Sequence, residues 1–419
     1  MKLHYDELEI RDPAQREAAL LAALPVQIAH AQSRSAAMAQ ALHGIEGPAV
    51  RTRADLAQLP VTRKQALFER QKAERAAGGD AFGGYSTLAY GPGMPRLFAS
   101  PGPIYEPEGR AADYWRMARA IFAAGFRAGD LIHNSFSYHF TPAGSMMESG
   151  AHAVGCSVFA AGVGQTEQQV AALQDLQPAG YIGTPSFLKI ILDKAADLGV
   201  SLPSVTKALV TGEACPPSLR DWLAARGIAA YQCYATADVG LIAYETTARE
   251  GLVLDEHVIL EIVRPGTGDP VPAGEVGEVV ITSLNPDYPL IRFGTGDLSA
   301  VMPGTCPTGR TNIRVRGWLG RADQTTKIRG MFVHPKQVDD IAKRFPEVLR
   351  ARLVVEGEMA HDVMTLKVEV HDTQAAQTIK PQIAQAVRDV TKLRGDIELC
   401  ASGSLPNDGK VIEDARSYA

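Results

Sequence analysis

The chain has 419 residues, of which 46% are hydrophobic and 21% charged, and a formal net charge of -5 at pH 7. That composition supports more than one domain core, and its acidic balance leaves no electrostatic footprint for nucleic acid. No apolar run approaches the about 20 residues that span a bilayer, so no membrane partner is expected. The acid-rich start, MKLHYDELEIRDPAQREAALLAAL, lacks the apolar centre of a signal peptide. Cys156, Cys215, Cys233, Cys306 and Cys400 are scattered and odd in number. They suit reduced thiols in a cytoplasm rather than a disulfide framework.

Residues 1–80 are rich in Ala, Gln and Arg and read as helical, with a first helix opening at Asp12-Pro13. Residues 80–110 are crowded with Gly and Pro, which predicts loop or short strand. Helical spacing of Tyr114, Met117, Ala118, Ile121 and Phe122 predicts an amphipathic helix over residues 111–124. A strand over 131–136, a helix over 166–174 and a strand over 181–183 follow. Thr184-Pro185 then opens a helix that Gly199 ends. A short strand over 208–210 leads into Thr211-Gly212-Glu213. This alternation predicts an α/β core with a mostly parallel sheet. From Val258 the pattern changes to an antiparallel pair, 259–263 with 278–281, expected as a β subdomain. The last hundred residues read strand, helix, two strands, helix, strand. In the second of the paired strands Met364, Leu366, Val368 and Val370 alternate with Thr365, Lys367 and Glu369. That order is a ferredoxin-like β-α-β-β-α-β unit. The expected domains are 1–320 and 321–419.

The chemistry concentrates between Tyr288 and Pro335. Gly294, Gly296 and Asp297 put a carboxylate at the end of a Gly-rich turn, and Gly320-Arg321-Ala322-Asp323 follows, then Lys327-Ile328-Arg329-Gly330. A carboxylate accepts both hydroxyls of a diol such as ribose. An Arg suits a phosphate, and glycines allow close backbone approach. A lysine, Lys410, follows the last strand in Ser404-Leu405-Pro406-Asn407-Asp408-Gly409-Lys410.

These segments resemble the signature of the adenylate-forming acyl-CoA synthetase superfamily, in its phenylacetate–CoA ligase-like branch. The resemblance runs from roughly Trp115 to Lys410. It implies a large AMP-binding domain (an α/β core plus the β subdomain) carrying a small mobile lid. It also implies an ATP-dependent acyl-CoA ligase acting on an aromatic or small carboxylic acid through an acyl-adenylate, with ATP, Mg2+ and coenzyme A. By resemblance Lys410 is the adenylation lysine, Asp297 the ribose ligand, Arg321 a ribose or phosphate contact, and Asp323 the hinge. Tyr234-Ala235-Thr236-Ala237-Asp238 resembles a segment whose aromatic ring flanks adenine and whose acid holds Mg2+, here Asp238. Gly212, Glu213 and Ala214 resemble the turn beside adenine. Phe136, Tyr138, His139 and Thr184 fall where the acyl pocket is lined. Relatives allow a homodimer.

One stretch departs from the pattern. Where relatives carry a Ser/Thr/Gly-rich loop with a Lys around the ATP phosphates, this chain has Ala99-Ser100-Pro101-Gly102-Pro103-Ile104-Tyr105-Glu106-Pro107. Three prolines remove backbone donors, and Glu106 would repel phosphate unless it binds the metal. Cys306-Pro307-Thr308-Gly309-Arg310 resembles a segment that carries zinc in relatives, with a Thr in place of the second Cys. Two other readings fit the same residues: a non-catalytic nucleotide- or acyl-binding relative, and an acyl loader of a carrier-protein thiol.

Overall fold

The computed structural model describes residues 2–319, 321–322, 326–329, 331–333, 335–357, 362–406 and 410–416. Met1–Cys215 and Leu219–Leu319 pack as one compact unit, Pro216–Ser218 and Gly320–Ala419 as a second.

The first unit begins with α1 (Pro13–Arg34), α2 (Ala36–Ala41), α3 (Arg53–Ala57), the short strand β1 (Thr62–Arg63) and α4 (Lys64–Ala76). Asp12 caps α1 as its sequence predicts, accepting from Ala14 N at 2.9 Å and Gln15 N at 3.1 Å. Those donors have no partner inside the helix. The Gly/Pro-rich stretch resolves into a hairpin of β2 (Arg96–Ser100) and β3 (Ile104–Glu108), in register from Arg96 opposite Glu108 to Ser100 opposite Ile104. The helix expected over residues 111–124 shortens to α5 (Ala118–Ala123). Arg116 takes φ +63, a left-handed conformation that no α-helix continues through. Its guanidinium binds Asp255 Oδ1 at 2.9 Å and Leu241 O at 3.1 Å.

The core sheet alternates strand and helix: β4 (Leu131–Asn134), α6 (Ala143–Val154), β5 (Ser157–Ala160), α7 (Thr166–Leu176), β6 (Gly180–Gly183), α8 (Pro185–Asp197), β7 (Lys207–Val210), α9 (Pro217–Ala224) and β8 (Ala229–Thr236). Strands β5-β4-β6-β7-β8 lie side by side in parallel, so their carboxyl ends share one edge. Next come β9 (Gly240–Glu245) and β10 (Leu252–Leu254), antiparallel additions to this sheet.

The expected β subdomain is β11 (Val258–Val263), β12 (Gly277–Ser283) and β13 (Phe293–Ser299), antiparallel, with β1 paired in parallel on the outer side of β13. The short strands β14 (Val301–Met302) and β15 (Arg314–Val315) return to the edge of the core sheet beside β10. Arg292 holds this subdomain together. Its side chain is buried and its φ is +45. Its Nε meets Glu261 Oε2 at 2.9 Å. Nη1 donates to Ala57 O at 2.9 Å and to Leu59 O, and Nη2 to Gly268 O at 2.7 Å. One guanidinium thus ties β11, the end of α3 and the 264–269 turn to the start of β13, using the planar fork only Arg offers.

In the second unit the expected order holds with two changes. Residues 326–333 form a hairpin, β16 (Thr326–Ile328) and β17 (Met331–Val333), instead of one strand. Arg329 turns the chain at φ +48, its amide donating to Asp362 Oδ2 at 2.9 Å and its guanidinium to Asp362 O at 2.7 Å. Then follow α10 (Pro335–Ala342), β18 (Val348–Glu356), β19 (Val363–Val370), α11 (Lys380–Thr391), β20 (Asp396–Ala401) and β21 (Ile412–Asp414). The sheet reads β20-β19-β18-β21, and β21 takes the edge by pairing in parallel with β18. Met364, Leu366, Val368 and Val370 are buried, as their alternation predicts, in one core with Ile383 and Val387 of α11 and Val338 and Ile341 of α10.

Truncating one partner of a buried ion pair leaves the other charge without compensation, at a cost of about 3–5 kcal/mol. Arg292→Met is expected to lower stability by that amount in urea unfolding followed by tryptophan fluorescence. Adding Glu261→Leu is expected to recover only the share due to the unpaired carboxylate, because the carbonyls of Ala57, Leu59 and Gly268 stay without their donor.

Candidate active site

Parallel strands leave their loops at one edge, and in open α/β sheets ligands bind there. The residues singled out by sequence largely converge on this edge of the first unit. After β4 come Ser135, buried Phe136, half-buried Tyr138 and exposed His139. After β6, Thr184 caps α8, with Oγ1 3.4 Å from Phe187 N. After β7, Gly212 takes φ +85. A side chain there would lie 3.7 Å from Thr184 Cγ2 and 3.8 Å from the Phe136 ring, so the turn passes directly over both residues. Glu213 turns back to α8, where Oε1 accepts from Ser186 N at 2.7 Å. A carboxylate at a helix N-terminus is stabilised by its unpaired amides and dipole. Ala214 is half-buried beside it. Thr211 Oγ1 donates to Cys233 O at 2.6 Å, which joins the ends of β7 and β8 just before Tyr234.

Tyr234 brings the two sheets together. Its hydroxyl donates to Asp297 Oδ2 at 2.7 Å and lies 3.1 Å from Thr295 Oγ1. Trp318 Nε1 donates to Asp297 Oδ1 at 3.1 Å. Two rigid aromatic donors therefore fix the plane of a buried carboxylate, the preorganisation that a diol-binding acid needs. The close approach of strands beneath it depends on Gly294. A side chain there would stand 2.7 Å from Glu278 Oε1 and 3.0 Å from Arg63 Nη1, the members of a neighbouring ion pair.

Tyr138 sits in a polar setting. Its hydroxyl accepts from Asn134 Nδ2 at 2.8 Å. Burial raises its pKa, and the Glu148 carboxylate beside it adds to the rise. Tyr181 is buried at the end of β6. Its hydroxyl receives the Ser135 hydroxyl at 2.5 Å and donates to Thr184 O at 3.1 Å. Its pKa is raised too, chiefly by burial.

Asp238 is buried, and its Oδ2 accepts from Lys64 Nζ at 2.6 Å. Its Oδ1 has no hydrogen-bond partner among the described residues, and neither has the buried Tyr288 hydroxyl. Glu106 is fully buried in the same neighbourhood and hydrogen-bonded to Ser100. Burial pushes its carboxyl up to about 8, with the Asp238 charge adding to the rise and Lys64 opposing it. Tyr288 is raised well above its usual value by burial first, then by Glu106 and Asp238.

The second unit carries the remaining sequence-derived candidates. Arg321 is half-buried there, and Lys410 is exposed two residues before β21. Asp323 lies outside the described residues. Sequence reasoning did not find Trp318, Thr295 or Lys64 as members of the site. Trp318 stood two positions before the Gly320 of the signature. Lys64 carried no signal, because 174 positions separate it from Asp238. Cys306 lies 3.4 Å from Thr246 Oγ1 and 3.1 Å from Thr308 Oγ1. No group of three or more His, Cys, Asp or Glu side chains among the described residues is placed to hold a metal.

The AMP-binding enzyme family profile matches residues 111–285, and the AMP-binding enzyme C-terminal domain matches residues 330–414. A phenylacetate-coenzyme A ligase of Aromatoleum evansii is 30% identical over 344 residues, covering 78% of this chain and 75% of that protein. The chain belongs to the adenylate-forming AMP-binding enzymes, in the branch of the phenylacetate–CoA ligases. These are AMP-forming acid–CoA ligases. A second such ligase, from Thermus thermophilus, is 33% identical over 265 residues, 61% of this chain and 60% of that protein's length. Among solved structures, a 2-hydroxyisobutyryl-CoA ligase in complex with 2-HIB-AMP and CoA superposes with a TM-score of 0.83 at 23% identity, covering all of this chain and 93% of the other. The amide bond synthetase McbA of Marinactinospora thermotolerans gives 0.54 at 18% identity, over 75% and 66% of the two chains. The fold is therefore that of an adenylate-forming enzyme.

Burying an acid that stays neutral links stability to pH. Glu106 is protonated in the folded chain up to about pH 8 and ionises near its ordinary 4.5 when unfolded. Its contribution is therefore fully present below about pH 4.5 and is lost as pH rises toward and through about 8. Glu106→Gln, neutral at every pH, is expected to flatten the fall in melting temperature between pH 5 and 9 relative to the wild-type chain.

Proposed function

We propose that the chain joins a small carboxylic acid, phenylacetate-like or otherwise compact, to coenzyme A through an acyl-adenylate. The observation that carries this reading is the Asp297 carboxylate, locked by Tyr234 and Trp318 beside the carboxyl ends of the parallel strands. In this reading Asp297 binds the ribose diol and the Tyr234 ring flanks the adenine. The 212–214 turn covers the base, and Phe136, Tyr138, His139 and Thr184 line the acyl pocket.

Arg321 reaches ribose or phosphate, and Asp323 is the hinge between half-reactions. Lys410 stabilises negative charge on the oxygens of the reacting carboxylate and α-phosphate, a positioned cation acting where charge develops. Asp238 fits a hard cation, because its buried Oδ1 lacks a partner and Mg2+ takes one or two carboxylates plus phosphate and water oxygens. Mg2+ there would neutralise phosphate charge. The family resemblance and the low aromatic fraction, 6%, leave both aryl and short acids within the class. No helix among the described residues is long and apolar enough to cross a membrane. The unbridged cysteines support a reducing, cytoplasmic setting.

Two substitutions test the reading. Lys410→Ala is expected to lower AMP release from ATP, acid and CoA by about 100-fold or more. It should leave thioester formation from a preformed acyl-adenylate within a few-fold of wild type. AMP release unchanged by the substitution would refute the role. Asp297→Ala removes a charged hydrogen-bond acceptor, a loss of about 1.5–3 kcal/mol. It is expected to weaken AMP binding by roughly 10- to 100-fold in calorimetric titration.

A further inference from the structure

The β2–β3 hairpin lies against the edge just described, since Ala99 N donates to Phe140 O at 2.6 Å just beyond β4. Loops that bind phosphate leave several amides aimed outward at one point, commonly beside a Lys or Arg. This hairpin does the opposite. Pro101, Pro103 and Pro107 have no amide to offer. The Ala99 amide is used by Phe140. The Ser100 amide donates to Glu106 Oε2 at 3.2 Å, and its hydroxyl to Oε1. The Tyr105 amide donates to Gln71 Oε1 at 2.8 Å, and Gln71 Nε2 returns to Tyr105 O at 2.9 Å. The Ala99, Ser100 and Tyr105 amides are thus claimed inside the protein, and an internal carboxyl holds both donors of Ser100.

The charges agree with the hydrogen bonds. No Lys or Arg occurs from Leu97 to Gly109. Two carboxyl groups of the hairpin, Glu106 and Glu108, are buried, and Asp238 is buried beside Glu106. Glu108 is satisfied by Trp115 Nε1 at 2.7 Å, Ser145 Oγ at 2.7 Å and Arg96 at 3.0 Å. Lys64 is engaged with Asp238 at 2.6 Å. A β,γ-diphosphate would find few donors on this hairpin. The ribose side, in contrast, keeps its full set in Tyr234, Asp297, Thr295 and Trp318.

We propose that the nucleotide site of this chain is built for a monophosphate: it recognises AMP and acyl-adenylate, and draws no affinity from β- and γ-phosphates. The acyl-adenylate is then held at least as tightly as ATP. The CoA sulfur forms the new bond to the acyl carbon, the acyl–phosphate oxygen bond breaks, AMP leaves with that electron pair, and the thiol proton passes to solvent. This inference rests on the adenylate-forming reading above and deepens it: ATP still turns over, but its affinity comes from adenosine and the α-phosphate alone.

The test is calorimetric titration of the full chain with AMP, with MgATP and with magnesium pyrophosphate. The expected result is an MgATP dissociation constant no more than about threefold tighter than that of AMP, with no displacement of AMP by pyrophosphate. MgATP binding more than about threefold tighter than AMP, or pyrophosphate displacing AMP, overturns the inference while leaving the ligase reading intact. A folded chain that binds no AMP overturns both.

Discussion

Everything at the candidate site rests on how one guanidinium is buried. Arg292 enters β13 in a left-handed conformation and spends its donors on Glu261 and three backbone carbonyls. No other side chain presents five donors in a plane. The strand that leaves this anchor reaches Asp297 five residues later, so the position of the carboxylate is inherited from the anchor. The cost of the strained backbone at Arg292, of the order of 1–3 kcal/mol for such conformations, is offset by satisfying carbonyls that would otherwise be buried unpaired.

A second constraint is the common direction of β4, β6, β7 and β8. Because all four run in parallel, the residues that follow them emerge at one edge. Phe136, Thr184 and Gly212 are far apart in sequence and meet for that reason alone. The helices between the strands then become part of the site. Thr184 and Glu213 both cap α8, so groups that by type suit a nucleotide also stabilise the scaffold that displays them.

The hairpin shows how a buried acid is accommodated. Glu106 read from sequence alone looks like a charge placed against phosphates. In the fold it is a buried acid satisfied by Ser100, raised in proton affinity by burial and by Asp238, with Lys64 balancing Asp238. The hairpin is internally satisfied, which is what low dielectric demands of buried polar groups.

The sequence by itself determined the local periodicities and the chemical inventory. Period-two alternation from Met364 to Val370 specified a half-buried strand, and Thr184-Pro185 specified a helix start, because both depend only on near neighbours. The glycines and the carboxylate at 294–297 were legible as a motif, but they lie inside β13 and not in the turn expected of them. Tertiary structure alone decided the rest. Helical spacing from Tyr114 to Phe122 was overridden at Arg116 by carbonyls and a carboxylate more than a hundred positions away. The strand expected at 327–333 folded on itself because Asp362 captures Arg329. Lys64 joined Asp238, and Trp318 joined Asp297, through contacts that no spacing rule encodes. Desolvation and long-range pairing depend on what the whole chain packs around a group, and a linear sequence does not carry that quantity.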